Sequence, residues 1–179
     1  MKTTNGFSIK KLVSAGVLLA LCMVLPFLTG QIPEIGSALS PMHIPVLLCG
    51  FICGWPYALA VGFIAPLLRF ALFGMPPIFP TGISMAFELA AYGVLAAVFY
   101  RKLPRKTANI YVSLILAMLG GRIVWGLVRT IMALLFHVEF GFSMFLTAGF
   151  ITAIPGIICH IVLIPLIVIG LRRAHLIED

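Results

Sequence analysis

Residues 109–136 read NIYVSLILAMLGGRIVWGLVRTIMALLF. Nothing in this stretch except Arg122 and Arg129 carries a charge. It is longer than the ~20 apolar residues that an α-helix needs to cross a bilayer. A soluble domain has no use for such a run, so the stretch fixes the class: a membrane-spanning helix with two cations inside it. Composition says the same of the whole chain. Of 179 residues, 62% are hydrophobic and only 9% are charged, and the mean hydropathy is +1.19, far above that of a soluble domain.

Working outward, hydropathy and helix breakers place five further spans near 12–29, 42–55, 57–75, 79–101 and 145–171. The expected fold is all-α: an integral membrane protein with one transmembrane domain over 1–179, a bundle of six transmembrane helices. The segment at 42–55 is short for a full crossing and is bounded by Pro41 and by Trp55-Pro56. Met75-Pro76-Pro77-Ile78-Phe79-Pro80 reads as a tight, stiff link. Lys10 and Lys11 before an apolar run resemble a signal peptide, but the run lacks a small-residue cleavage site and reads as a retained first helix.

Basic residues orient the bundle. Lys2, Lys10 and Lys11 precede the first helix; Arg101, Lys102, Arg105 and Lys106 fill the loop before the fifth; Arg172 and Arg173 follow the sixth. Six crossings put all three groups on one side, so both termini are expected to be cytoplasmic and the chain a multi-pass membrane protein. Glu34 and Glu139 fall outside. The net charge of +7 lies at helix ends and inside helices, which is no nucleic-acid stripe.

Three arginines, Arg69, Arg122 and Arg129, sit inside spans, and Glu88 is the one carboxylate at comparable depth. A charge at the bilayer centre costs about 2.5–3.5 kcal/mol on insertion scales, and a guanidinium keeps its charge at any accessible pH. The excess of two positive charges points to an anionic ligand. Arg122 and Arg129 are two turns apart, with Trp125 and Gly126 between them on one helix face. Counting from helix ends puts Arg69, Glu88 and Arg129 at similar depth in the outer half and Arg122 deeper, with Arg69 expected to serve Glu88. Tyr92, one turn from Glu88, and His43, at the outer start of the second segment, complete the candidate set. His160, alone in the sixth segment, reads as a packed residue. The loop 29–41 (TGQIPEIGSALSP) has the length and composition of a lid or of a connector.

Other features are bland. The four cysteines lie in apolar runs without disulfide or CxxC spacing. Gly16 with Ala20, Gly50 with Gly54, and Gly120-Gly121 are small-residue pairs suited to helix packing. No HExxH, GxSxG or P-loop is present, so no enzyme and no catalytic residue are expected. Met42-His43-Ile44-Pro45 resembles the start of nickel and cobalt uptake proteins, whose motif needs a free N-terminus. Here it is internal, and no metal is expected.

Taken together, the chain resembles the substrate-binding S components of the energy-coupling factor (ECF) vitamin transporters, in the subgroup of pantothenate-type and related carriers. The resemblance spans essentially the whole length. It is carried by the size and by Ser14-Ala15-Gly16-Val17-Leu18-Leu19-Ala20, by Ser40-Pro41-Met42-His43-Ile44-Pro45, by Pro66-Leu67-Leu68-Arg69 through Phe73-Gly74-Met75-Pro76-Pro77, and by Met85-Ala86-Phe87-Glu88-Leu89-Ala90-Ala91-Tyr92-Gly93. It implies high-affinity vitamin binding and uptake. The partners it implies are a transmembrane T component and two cytoplasmic ATPase subunits, which use the ATP, so this chain needs no cofactor of its own. It also implies contact with the T component at Gly16 and Ala20, and closure of loop 29–41 over the ligand. With the charge excess it favours an anionic vitamin such as pantothenate. Folate, riboflavin or another vitamin are the alternatives, and a small intramembrane enzyme holding a lipid phosphate, or an assembly subunit, are readings of other classes.

Overall fold

A computed structural model describes residues 8–29, 32–104, 106–174 and 177. Lys2 and Arg105, part of the charge pattern above, lie outside the described residues, as do Gly30 and Gln31 of the proposed lid. Among the described residues there is no strand. Eight α-helices follow one another: α1 (Ile9–Val24), α2 (Pro33–Leu39), α3 (His43–Ile52), α4 (Trp55–Phe73), α5 (Ile83–Lys102), α6 (Thr107–Phe136), α7 (Phe142–Leu146) and α8 (Ile154–Arg173).

Among the described residues five stretches are long and apolar enough to cross a membrane: Ile9–Leu28, Trp55–Phe73, Ile78–Lys102, Thr107–Phe136 and Ile154–Arg173. The helices differ from the expected segments in three places. First, α3 has only 10 residues, a rise of ~15 Å, about half a bilayer core. It ends where Gly54 adopts φ +93°, a conformation closed to most L-residues. Gly50 and Gly54 are therefore no packing pair: Gly54 makes the turn, while a Cβ on Gly50 would lie 2.5 Å from the Gly93 carbonyl oxygen. Second, the stretch 29–41 contains α2, with Pro33 in its first turn, where a missing N–H costs nothing. Third, the segment read as 145–171 is broken. After α7 the chain makes one wide turn, closed by Thr152 N–H donating to the Thr147 carbonyl at 2.8 Å, and α8 restarts with a proline in its first turn.

The short α3 forms the centre of the bundle. His43, Pro45 through Phe51 without a break, and hence every face of the helix, are buried, as expected of a helix that is apolar all round. It packs against α1, α4, α5 and α8, while α5 also packs between α4 and α6. Backbones come close where glycine allows: a Cβ on Gly62 would lie 2.6 Å from the Leu89 backbone, and one on Gly93 would lie 2.8 Å from Ala58 Cβ. The outer faces of α1, α6 and α8 carry exposed Leu12, Val17, Leu127, Leu134, Val162 and Leu166. Water would make such a surface costly, whereas lipid accepts it.

Candidate ligand-binding site

Helices α5 and α6 form a hairpin joined at residues 103–106, so side chains at equal distance from that joint face each other. Glu88 lies fourteen residues before the end of α5 and Arg122 fifteen after the start of α6. Arg122 Nη1 donates to Glu88 Oε1 at 2.7 Å, a charge-assisted bond inside the bundle, where Glu88 is only 1% exposed. The expectation that Arg69 serves Glu88, with Arg122 deeper, is thereby corrected. Depths counted inward from the far ends of the segments mislead, because α6 has 30 residues and α5 only 20, so those ends are not level. Counted from the shared joint, the two residues are level.

Arg69 is engaged elsewhere. Its Nη1 donates to the Met23 carbonyl at 2.6 Å, and its guanidinium lies 5.1 Å from the Phe27 ring and 5.2 Å from Phe73. Met23 stands where α1 gives way to the tighter turn Leu25–Thr29, and this is where helix carbonyls lose their usual partners. Arg69 therefore fastens α4 to the end of α1.

Around Glu88 the other helices deliver a polar cluster. His43, at the first position of α3, brings Nε2 to 3.7 Å from Glu88 Oε1, beyond hydrogen-bond reach. Its ring meets Tyr92 edge-on at 5.1 Å and stacks on His160 of α8 at 6.0 Å. Tyr92 faces both Glu88 and Arg122. A Cβ on Gly121 would come within 2.2 Å of Tyr92 Cδ1, so only glycine next to Arg122 leaves room for this ring. His160 is 3% exposed, and its ring meets the Ser40 backbone. Sequence reasoning set His160 aside because it is alone on its segment; its partner comes from a different helix.

Further along α6, Trp125 lies between the two arginines, with its ring 5.9 Å from Cζ of Arg122 and of Arg129. The connection after α6 closes over this part. Phe140 meets Trp125 edge-on at 5.5 Å and Arg129 at 5.6 Å, while Phe145 of α7 stacks on Trp125 at 6.1 Å. On the histidine side α2 lies against α8, where a Cβ on Gly156 would sit 2.6 Å from the Ala38 carbonyl oxygen. Thus Glu88, Arg122, Arg129, Trp125, Tyr92 and His43 are linked by contacts, His160 joins them, and Arg69 stands apart.

Buried polar atoms in folded proteins are nearly always bonded. Here His43 Nδ1 and Nε2, Arg129 Nε and Nη1, and His160 Nε2 are buried without a hydrogen-bond partner. All belong to this one cluster. Such a row of unanswered groups suits binding. Among the described residues no three His, Cys, Asp or Glu side chains group as a metal site requires.

The chain matches the family described as ECF transporter, substrate-specific component, over residues 10–168. It belongs to that family: it is a substrate-binding membrane component of a micronutrient uptake system that works with T and ATPase partners. No curated protein and no solved structure matches it.

Proposed function

We propose that this chain captures an anionic vitamin at the plasma membrane, pantothenate being the favoured candidate, and hands it to a T component driven by two ATPase subunits. The observation that carries the ligand's sign is Arg129, a half-buried side chain whose Nε and Nη1 are buried with no hydrogen-bond partner beside Trp125. An anion supplies the bonds that desolvation removed. Arg122, Glu88, Tyr92 and His43 form the polar wall of this site, with His160 added. Arg69 enters only as part of the frame. In this reading the chain itself performs no catalysis and needs no cofactor.

The bundle inserts with both termini cytoplasmic. Lys10 and Lys11, Arg101 with Lys102, and Arg172 with Arg173 then share the inner side, and α3 with its adjoining turns completes a sixth crossing segment. Residues 29–41, including α2, act as the lid. Gly16 and Ala20 are exposed on α1, free to meet the T component.

The test is mass spectrometry of small molecules that co-purify with the detergent-solubilised chain, followed by calorimetric titration with pantothenate. A bound anionic vitamin is the expected result. A neutral or cationic vitamin rejects the anionic reading, and a tightly bound lipid phosphate with no vitamin rejects the function.

A further inference from the structure

The charges inside the bundle can be assigned one at a time. Arg122 and Glu88 hold each other at 2.7 Å and cancel. Arg69 is as buried as either, but its contacts are with α1 and with Phe27 and Phe73, away from the cluster. That leaves Arg129. Trp125 and Phe140 flank its guanidinium; ring faces favour a cation but leave Nε and Nη1 without acceptors. Of the guanidinium and carboxylate charges the site therefore leaves one positive charge uncompensated, not the two that the sequence suggests.

The other unanswered atoms lie at the opposite end of the same row of contacts. His43 Nδ1 and Nε2 and His160 Nε2 are buried and unpartnered, and the two rings are stacked at 6.0 Å. Imidazole nitrogens can serve as donor or acceptor, which suits a hydroxyl or an amide better than a second anion. Glu88 Oε1, 3.7 Å from His43, is itself an acceptor and so no partner for one.

We propose that the site selects ligands with a single negative charge. The anionic group, a carboxylate for example, sits on Arg129; the body of the ligand lies along Trp125; and a neutral hydroxyl or amide meets His43 and His160. This rests on the reading of the chain as a vitamin-binding subunit and narrows its ligand class. A dianion would bring one charge with no buried counterpart, and a neutral or cationic ligand would leave Arg129 unanswered.

The experiment uses the full chain in detergent and five probes: pantothenate and biotin, each with one carboxylate; folate, with two; riboflavin, neutral; and thiamine, cationic. Thermal shift ranks them and titration gives affinities. A monocarboxylate is expected to bind tightest. Arg129→Gln is then expected to weaken it about 30-fold or more, as loss of a charge-assisted bond implies. Arg69→Gln should change affinity less than about threefold while lowering the melting temperature. If folate, riboflavin or thiamine binds tightest, the vitamin reading stands and the single-charge inference falls. If none of the five binds, both fall. Unchanged affinity in Arg129→Gln also overturns the inference. Should that variant fail to fold, the ranking of probes on the parent chain still decides.

Discussion

Glu88 is the residue on which the buried electrostatics turn. Its carboxylate is held by Arg122 at 2.7 Å in the middle of the bundle, so removing either partner strands the other. Glu88→Ala is expected to cost about 3–5 kcal/mol, the usual penalty for an uncompensated buried charge. Removing both charges together should cost much less than the sum of the two single losses. Unfolding of the purified variants in detergent measures both quantities. Arg69→Met removes the bond to the Met23 carbonyl, and a loss of about 1.5–3 kcal/mol is expected, with ligand affinity unchanged. At this scale the sequence revealed which residues are unusual, because charge in an apolar run stands out by itself. It did not reveal their pairing. Glu88 and Arg122 are thirty-four positions apart, and only the length of the α5–α6 joint shows that they are level. His160 was invisible for a related reason, since its neighbour His43 lies on another helix.

Among elements, the α5–α6 hairpin positions the site and the segment after α6 roofs it. Tyr92 rests against Gly121, and a methyl there would come within 2.2 Å of Cδ1. Gly121→Ala is therefore expected to displace the ring and lower ligand affinity about tenfold, with helix content by circular dichroism unchanged. Phe140 covers Trp125 and Arg129. Phe140→Ala should speed ligand release more than it slows capture, which stopped-flow fluorescence of Trp125 can follow. The long helices were legible because an uninterrupted apolar run has few alternatives. The helix α2 was not: its Gly, Pro and Ser suggest a loop, and it is held by packing on α8 at Gly156. The break between α7 and α8 falls in a largely apolar stretch without charge, and Gly149, two threonines and Pro155 are its local signs.

For the whole molecule, partner contact and ligand capture fall on different surfaces. Gly16 has no atom within 4 Å of where a Cβ would sit, and it faces outward with Ala20, away from Arg129 and His43. Gly16→Trp is accordingly expected to abolish uptake by the complete transporter while the isolated chain binds its ligand as before. Equal loss of both would refute this division.

The length of α6 has a consequence for the lipid around it. Thirty residues make a rod of ~45 Å against a hydrocarbon layer of ~30 Å, more than ordinary tilt can absorb. Some of the rod must stand clear of the hydrocarbon, and Arg129 is only two turns from the Phe136 end. Where the Phe136 end is the part that emerges, the Arg129 guanidinium lies near the headgroups, where insertion is cheaper and an anion from water can reach it. Membrane thickness becomes a control on capture. In vesicles of longer-chain lipids the thicker hydrocarbon should submerge this end and slow ligand association, and in thinner ones association should quicken, with the protein sequence unchanged.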